Sequence, residues 1–134
     1  MNPQIIESTL CAMQTHSDFD KKICRLELFD VSAINNRWKN TKDYIGAFHT
    51  IKYASAKTKL LNSRDDIVCG KVTVPPYIYV DAEGNVDFYN GRNRFANLRD
   101  AGVSKIPCVI EKADYKRFVQ GEKKKTVRSQ SVFV

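Results

Sequence analysis

Residues 77–102 constrain the fold more than any other stretch of the chain. Tyr77-Ile78-Tyr79-Val80 and Val86-Asp87-Phe88-Tyr89 alternate as two half-buried strands do. Asp81-Ala82-Glu83-Gly84-Asn85 between them has the composition of a hairpin turn. The second strand runs straight into Asn90-Gly91-Arg92-Asn93-Arg94, and Phe95, Leu98 and Ala101 then recur at helical spacing up to a stop at Gly102. An antiparallel hairpin joined to a helix through one glycine is incompatible with an all-α or an all-β chain. The fold class expected is α+β, a compact mixed sheet with flanking helices.

The remaining segments fit around that unit. Asn2-Pro3 reads as a helix start, with Asn as cap and Pro in the first turn, and Ile5, Ile6, Leu10 and Met13 form an apolar stripe behind it. Residues 16–22 are a polar break. A strand follows, with Cys24, Leu26 and Leu28 on one face and Arg25 and Glu27 on the other. Val31 to Asn40 reads as irregular. Thr41 to Asn62 reads as one helix, with Lys42, Lys52, Lys57 and Lys59 on its polar side. Ile67-Val68 and Val72–Val74 lie between this helix and Pro75-Pro76. Ile106 to Ile110 is a last strand, and Pro107 within it suits an edge or entry position. Residues 114–120 read as a final helix, and Lys123 to Val134 as a mobile tail. The expected organisation is a helix and linker over 1–22, one domain over 23–112, and a short helix with a basic tail over 113–134.

Composition narrows the setting. A chain of 134 residues buries enough surface to fold without disulfides or metal. Its apolar runs are far shorter than the roughly 20 residues that span a bilayer, and the first residues lack the basic and apolar regions of a secretory signal. No membrane role is expected. Cys11, Cys24, Cys69 and Cys108 show no CxxC spacing, so no metal site is expected. Cys24 and Cys108 sit in apolar runs, as small core residues do, and the expected location is a reducing cytoplasm.

Charge divides the chain in two. Residues 1–90 hold 11 Lys/Arg against 11 Asp/Glu, whereas residues 91–134 hold 11 against four, so the whole net charge of +7 lies in the last third. Lys116, Arg117, Lys123, Lys124, Lys125 and Arg128 are the candidates there for contact with nucleic-acid phosphates. The same charge suits a different role, docking an acidic protein partner.

The chemistry concentrates at Asn90–Arg94. The first N–H groups of a helix lack partners and carry the positive end of its dipole. Acids normally occupy that place; here Arg92 and Arg94 do. Guanidinium groups pair well with phosphate oxygens, so Asn90, Gly91, Arg92, Asn93 and Arg94 are the candidate phosphate-binding residues.

Several of these stretches resemble the ParB/sulfiredoxin superfamily. They are Val74-Pro75-Pro76, the hairpin, Asp87 to Ala96, and Ile106-Pro107-Cys108-Val109, with Leu28 to Trp38 similar to that family's opening strand and its Arg turn. The resemblance covers about residues 24–112. It implies that Gly91 is the motif glycine and that Arg94 contacts nucleotide phosphates. It adds Arg37, from the Arg turn, and Thr50, as a helix hydroxyl, to the phosphate site. Arg92 and Asn93 stand where sulfiredoxins carry Cys and His, so sulfinic-acid reduction is not expected. ATP or CTP with Mg²⁺ is the implied ligand, with hydrolysis of a nucleotide or of DNA as the implied activity and no catalytic residue assigned. The alternative remains a non-enzymatic interaction or inhibitor protein.

Overall fold

The computed structural model describes residues 1–132, with side chains through Lys124. Five helices flank a four-stranded sheet: α1 Pro3–Gln14, β1 Cys24–Asp30, α2 Val31–Trp38, α3 Ala54–Val68, β2 Tyr77–Val80, β3 Val86–Asn90, α4 Arg92–Asp100, β4 Lys105–Glu111 and α5 Lys112–Val132. The strand order is β1-β4-β2-β3. β1/β4 and β2/β3 are antiparallel and β2/β4 is parallel, which makes the sheet mixed, as expected.

One face of the sheet carries the core. Register pairs Phe29 with Ile106, Ile110 with Ile78, Ile78 with Phe88, and Val80 with Val86, and all of these are buried. Over them Trp38 packs at ring-centroid distances of 4.7 Å from Phe88 and 5.6 Å from Phe95. Phe118 of α5 meets Phe29 edge-on at 5.1 Å. Each such side chain contributes roughly 1.5–3 kcal/mol by leaving water. Trp38 is therefore a core ring.

The local sequence explains most boundaries. The Asn2 side chain accepts the Gln4 N–H at 2.8 Å and Pro3 opens α1. The segment expected to be irregular, Val31 to Asn40, forms α2 because Val31, Ile34 and Trp38 fall on one helical face and are all buried. Tertiary packing overrides the weak helix propensity of Asn35-Asn36 there.

The helix expected over 41–62 forms differently. Residues 48–50 make a single 3₁₀ turn, and α3 starts only at Ala54 but runs on through Ile67 and Val68. Arg99 donates to the carbonyls of Ile45 at 2.5 Å and Gly46 at 3.1 Å, which ties this loop to α4.

In β1 the expected face of Cys24, Leu26 and Leu28 is buried only at its start: Cys24 is 6% exposed but Leu28 51%. At the far end of the strand Phe29 of the other face is buried instead, so burial does not alternate along it. β4 lies between β1 and β2 rather than at an edge. Pro107 is tolerated there because β2 pairs with β4 only at Val109 and Ile110. The Val109 N–H donates to the Pro76 carbonyl, so the missing N–H of Pro107 points to the same side, before β2 begins.

α5 is one helix from Lys112 to Val132, where a short helix and a tail were expected. Arg37 locks it down. This side chain is 7% exposed and donates to the Gly84 carbonyl at 2.9 Å, the Phe118 carbonyl at 3.1 Å and Glu122 at 3.2 Å. A Cβ at Gly121 would lie 3.2 Å from its Nη2, which accounts for a glycine within this helix. Among the described residues no helix is long and apolar enough to cross a membrane.

Candidate phosphate-binding turn

The turn is shaped by a bulge, a glycine and a proline. Tyr77 pairs with Asn90 while Ile78 pairs with Phe88, so Tyr89 is an extra residue in β3. Strict alternation would send Asn90 inward with Phe88; the bulge leaves both Tyr89 and Asn90 exposed. Gly91 then adopts φ 85°, ψ 13°, in the left-handed region that glycine enters without strain. A Cβ there would lie 2.8 Å from the Pro76 Cα. Glycine is required on both counts, and its closeness to Pro76 fixes α4 against the start of β2.

α4 opens with no side-chain cap and no acid in its first turn. Its first internal bond runs from the Phe95 N–H to the Gly91 carbonyl at 2.9 Å, which leaves the N–H groups of Arg92, Asn93 and Arg94 outside the helical ladder. Three adjoining lobes with shared lining residues surround them, with volumes of about 550, 480 and 410 Å³. Asn93 lines all three, Arg92 and Arg94 two each, and Lys59 reaches in from α3 to two. Asn97 sets the spacing of the walls: its buried amide donates to the Leu60 carbonyl at 2.9 Å and the Asn93 carbonyl at 3.0 Å, tying α3 to α4.

The two arginines differ. Arg92 is held loosely, with Nη1 3.5 Å from Asp43 and both side chains well exposed. Arg94 donates to the Val74 carbonyl and is partly buried. Burial lowers its pKa and nearby Asp66 opposes the shift, while the guanidinium stays charged. A partly desolvated cation with a backbone carbonyl as acceptor gains from an anion more than a solvated one does.

The other expected site residues divide. Thr50 is brought to the lobe that holds Arg92, though its hydroxyl donates to the Ala47 carbonyl at 2.6 Å. Arg37 is not in any of the lobes; its donors face Gly84, Phe118 and Glu122, which makes it a structural clamp instead of a phosphate ligand. Lys116, Lys123 and Lys124 are exposed on α5. Arg117 is turned onto the carbonyls of Val80, at 2.8 Å, and Asp81, which makes it a second clamp. The side chains of Lys125 and Arg128 lie outside the described residues. Lys59 and Asn97 were not expected at the site. The basic side of the 41–62 segment was the signal for Lys59, and a polar residue between Ala96 and Leu98 the signal for Asn97.

Comparison of the chain with family models, with curated proteins and with solved structures returns no match.

Proposed function

We propose that the β3–α4 turn binds phosphate groups of a nucleotide or a nucleic acid. One observation carries this reading: around an uncapped helix N-terminus, Arg92, Arg94 and Lys59 from two helices line three adjoining lobes, two of the three cations in each. An N-terminus of this kind attracts anions, and arginines placed there repel it until an anion arrives. The resemblance to the ParB/sulfiredoxin superfamily supports the same assignment for Gly91 and Arg94.

A nucleoside triphosphate such as ATP or CTP fits the donor set. The largest lobe has the size of a small-ligand site. Asp43 in one lobe and Asp66 in another are carboxylates of the type that a phosphate-bound Mg²⁺ uses. Binding is the activity this geometry supports; hydrolysis would register as phosphate release in the same samples.

The test is titration of ATP, CTP and short oligonucleotides, with and without Mg²⁺, against the wild type and Arg92→Ala. Arg92 has no backbone partner to lose, so the variant stays folded. Its affinity falls about tenfold, the effect of one charge-assisted contact. If the wild type binds none of these ligands at low salt, the reading is wrong. An acidic protein partner for the exposed lysines of α5 then becomes the better account.

A further inference from the structure

The face of the sheet opposite the core carries Tyr77 and Tyr79, two residues apart on β2, with Tyr89 of β3 against them at centroid distances of 4.8 and 4.5 Å. Tyr89 is 58% exposed. Cross-strand packing explains why the rings touch. It does not explain their position, which follows from the bulge. The extra residue puts Tyr89 and Asn90 on the surface together, and Tyr89 lines the same lobe as Gly91, Arg92 and Arg94. A cluster of three tyrosines, with Tyr89 edge-on to Tyr77 at 67° and tilted 36° to Tyr79, thus abuts a cationic turn.

We propose that Tyr77, Tyr79 and Tyr89 stack the bases of a single-stranded nucleic acid whose phosphates lie on the Gly91–Arg94 turn. This deepens the phosphate-binding reading and rests on it. Single strands are held by such pairings of an aromatic platform with a basic track, because unpaired bases expose their faces and a duplex hides them. The charges on the outer face set the polarity of the arrangement. Asp87 pairs with Tyr79 and Glu111 with Cys24, so carboxylates flank the rings. They repel phosphates from the platform and leave the turn as the path for the backbone. The phenols themselves stay neutral at physiological pH: burial raises the Tyr79 and Tyr89 pKa values, and the Cys24 contact, 3.4 Å from the hydroxyl, raises that of Tyr77. Stacking reads ring faces rather than base edges, so sequence preference is weak.

Fluorescence anisotropy with labelled octamers tests the proposal: deoxythymidine, uridine, an abasic strand of equal phosphate count, and a duplex. The base-bearing strands should bind the wild type about tenfold (about 1.4 kcal/mol) more tightly than the abasic strand or the duplex. Tyr89→Ala should remove that advantage and Tyr89→Phe keep it, since the hydroxyl is not needed for stacking. Arg92→Ala should weaken every strand, the abasic one included. Tighter binding of either base-bearing strand than of the abasic strand supports the proposal. If the abasic strand binds as tightly as the others and Tyr89→Ala has no effect, the stacking proposal is overturned while the phosphate reading stands. If no strand binds, both fall.

Discussion

Replacing Gly91 by alanine tests the geometry on which the site depends. Two costs combine. A side chain held at φ 85° loses roughly 1–2 kcal/mol to the left-handed conformation, partly offset by about 0.4–1 kcal/mol because alanine restricts the unfolded chain. The added Cβ would also lie 2.8 Å from Pro76 Cα and 3.1 Å from Pro76 Cβ. Neither atom is the far end of a flexible side chain, so backbone must move, at a cost of about 1–3 kcal/mol. The internal control is Gly102→Ala. Gly102 has φ 86° but no atom within 4 Å of its would-be Cβ, so that variant carries the strain without the clash. Urea unfolding of both variants separates the terms. Gly91→Ala should lose about 2–4 kcal/mol and Gly102→Ala about 1, a difference in midpoint on the order of 1 M. Equal losses, within about 0.5 kcal/mol, would show that Pro76 is not pressed against the turn and would remove the reason for α4 to start where it does.

Other perturbations give distinct signatures. Arg94→Ala should lower nucleotide affinity about tenfold and also cost about 1 kcal/mol of stability, because it leaves the Val74 carbonyl unpaired; a variant with unchanged stability would deny Arg94 its structural bond. Asn97→Leu should destabilise by about 1–3 kcal/mol in thermal or urea unfolding, since the carbonyls of Leu60 and Asn93 lose a buried donor. Iodoacetamide should modify the exposed Cys11 and Cys69 in the native protein and reach the buried Cys24 and Cys108 only after denaturation, as mass spectrometry would count. Burial raises the Cys108 thiol pKa, so its contribution to stability is fully present below the ordinary thiol value of about 8.5 and is lost as pH rises above it, where the unfolded chain ionises first; unfolding at pH 7 and pH 10 measures the loss. If three cationic groups meet phosphates, single-strand affinity should fall about twentyfold between 50 and 200 mM salt, and a flat salt response would exclude them.

The hairpin and the turn were legible because they depend on short-range chemistry. Alternation from Tyr77 to Tyr89, a glycine-bearing turn, and a glycine at the foot of a helix each have a local cause, and each is where it was expected. What the sequence concealed depends on contacts between distant residues. The loop that replaces the first part of the expected 41–62 helix is tied down by Arg99, more than fifty positions away in the chain. The inward face of β1 is chosen by Phe118 and Tyr115 of α5, which pack on Phe29. A period-two pattern cannot choose between its own two faces when both carry apolar residues.

The arginines show where reading a site from sequence reaches its limit, and why the turn survives it. Arg37, Arg99 and Arg117 each point their donors at backbone carbonyls: Gly84 and Phe118, Ile45 and Gly46, Val80 and Asp81. In sequence all three are charged residues near aromatic ones, as a ligand-binding arginine would also be. The distinction is made by where the fold brings carbonyls within reach: in the β2–β3 hairpin, inside α5 and in the loop before α3. Each clamp therefore removes one cation from the list of ligand candidates. Arg92 stands apart from this pattern. Its partner is the exposed carboxylate of Asp43 at 3.5 Å, a contact worth little in water and readily exchanged for a phosphate. Arg94 is intermediate, with one donor on Val74 and a place in the lining of a lobe that Arg92 shares. A binding site requires cations that the fold does not already use, and within this turn Arg92 meets that condition fully and Arg94 in part. Affinity for phosphate should accordingly respond most selectively to Arg92, and fold and affinity together to Arg94.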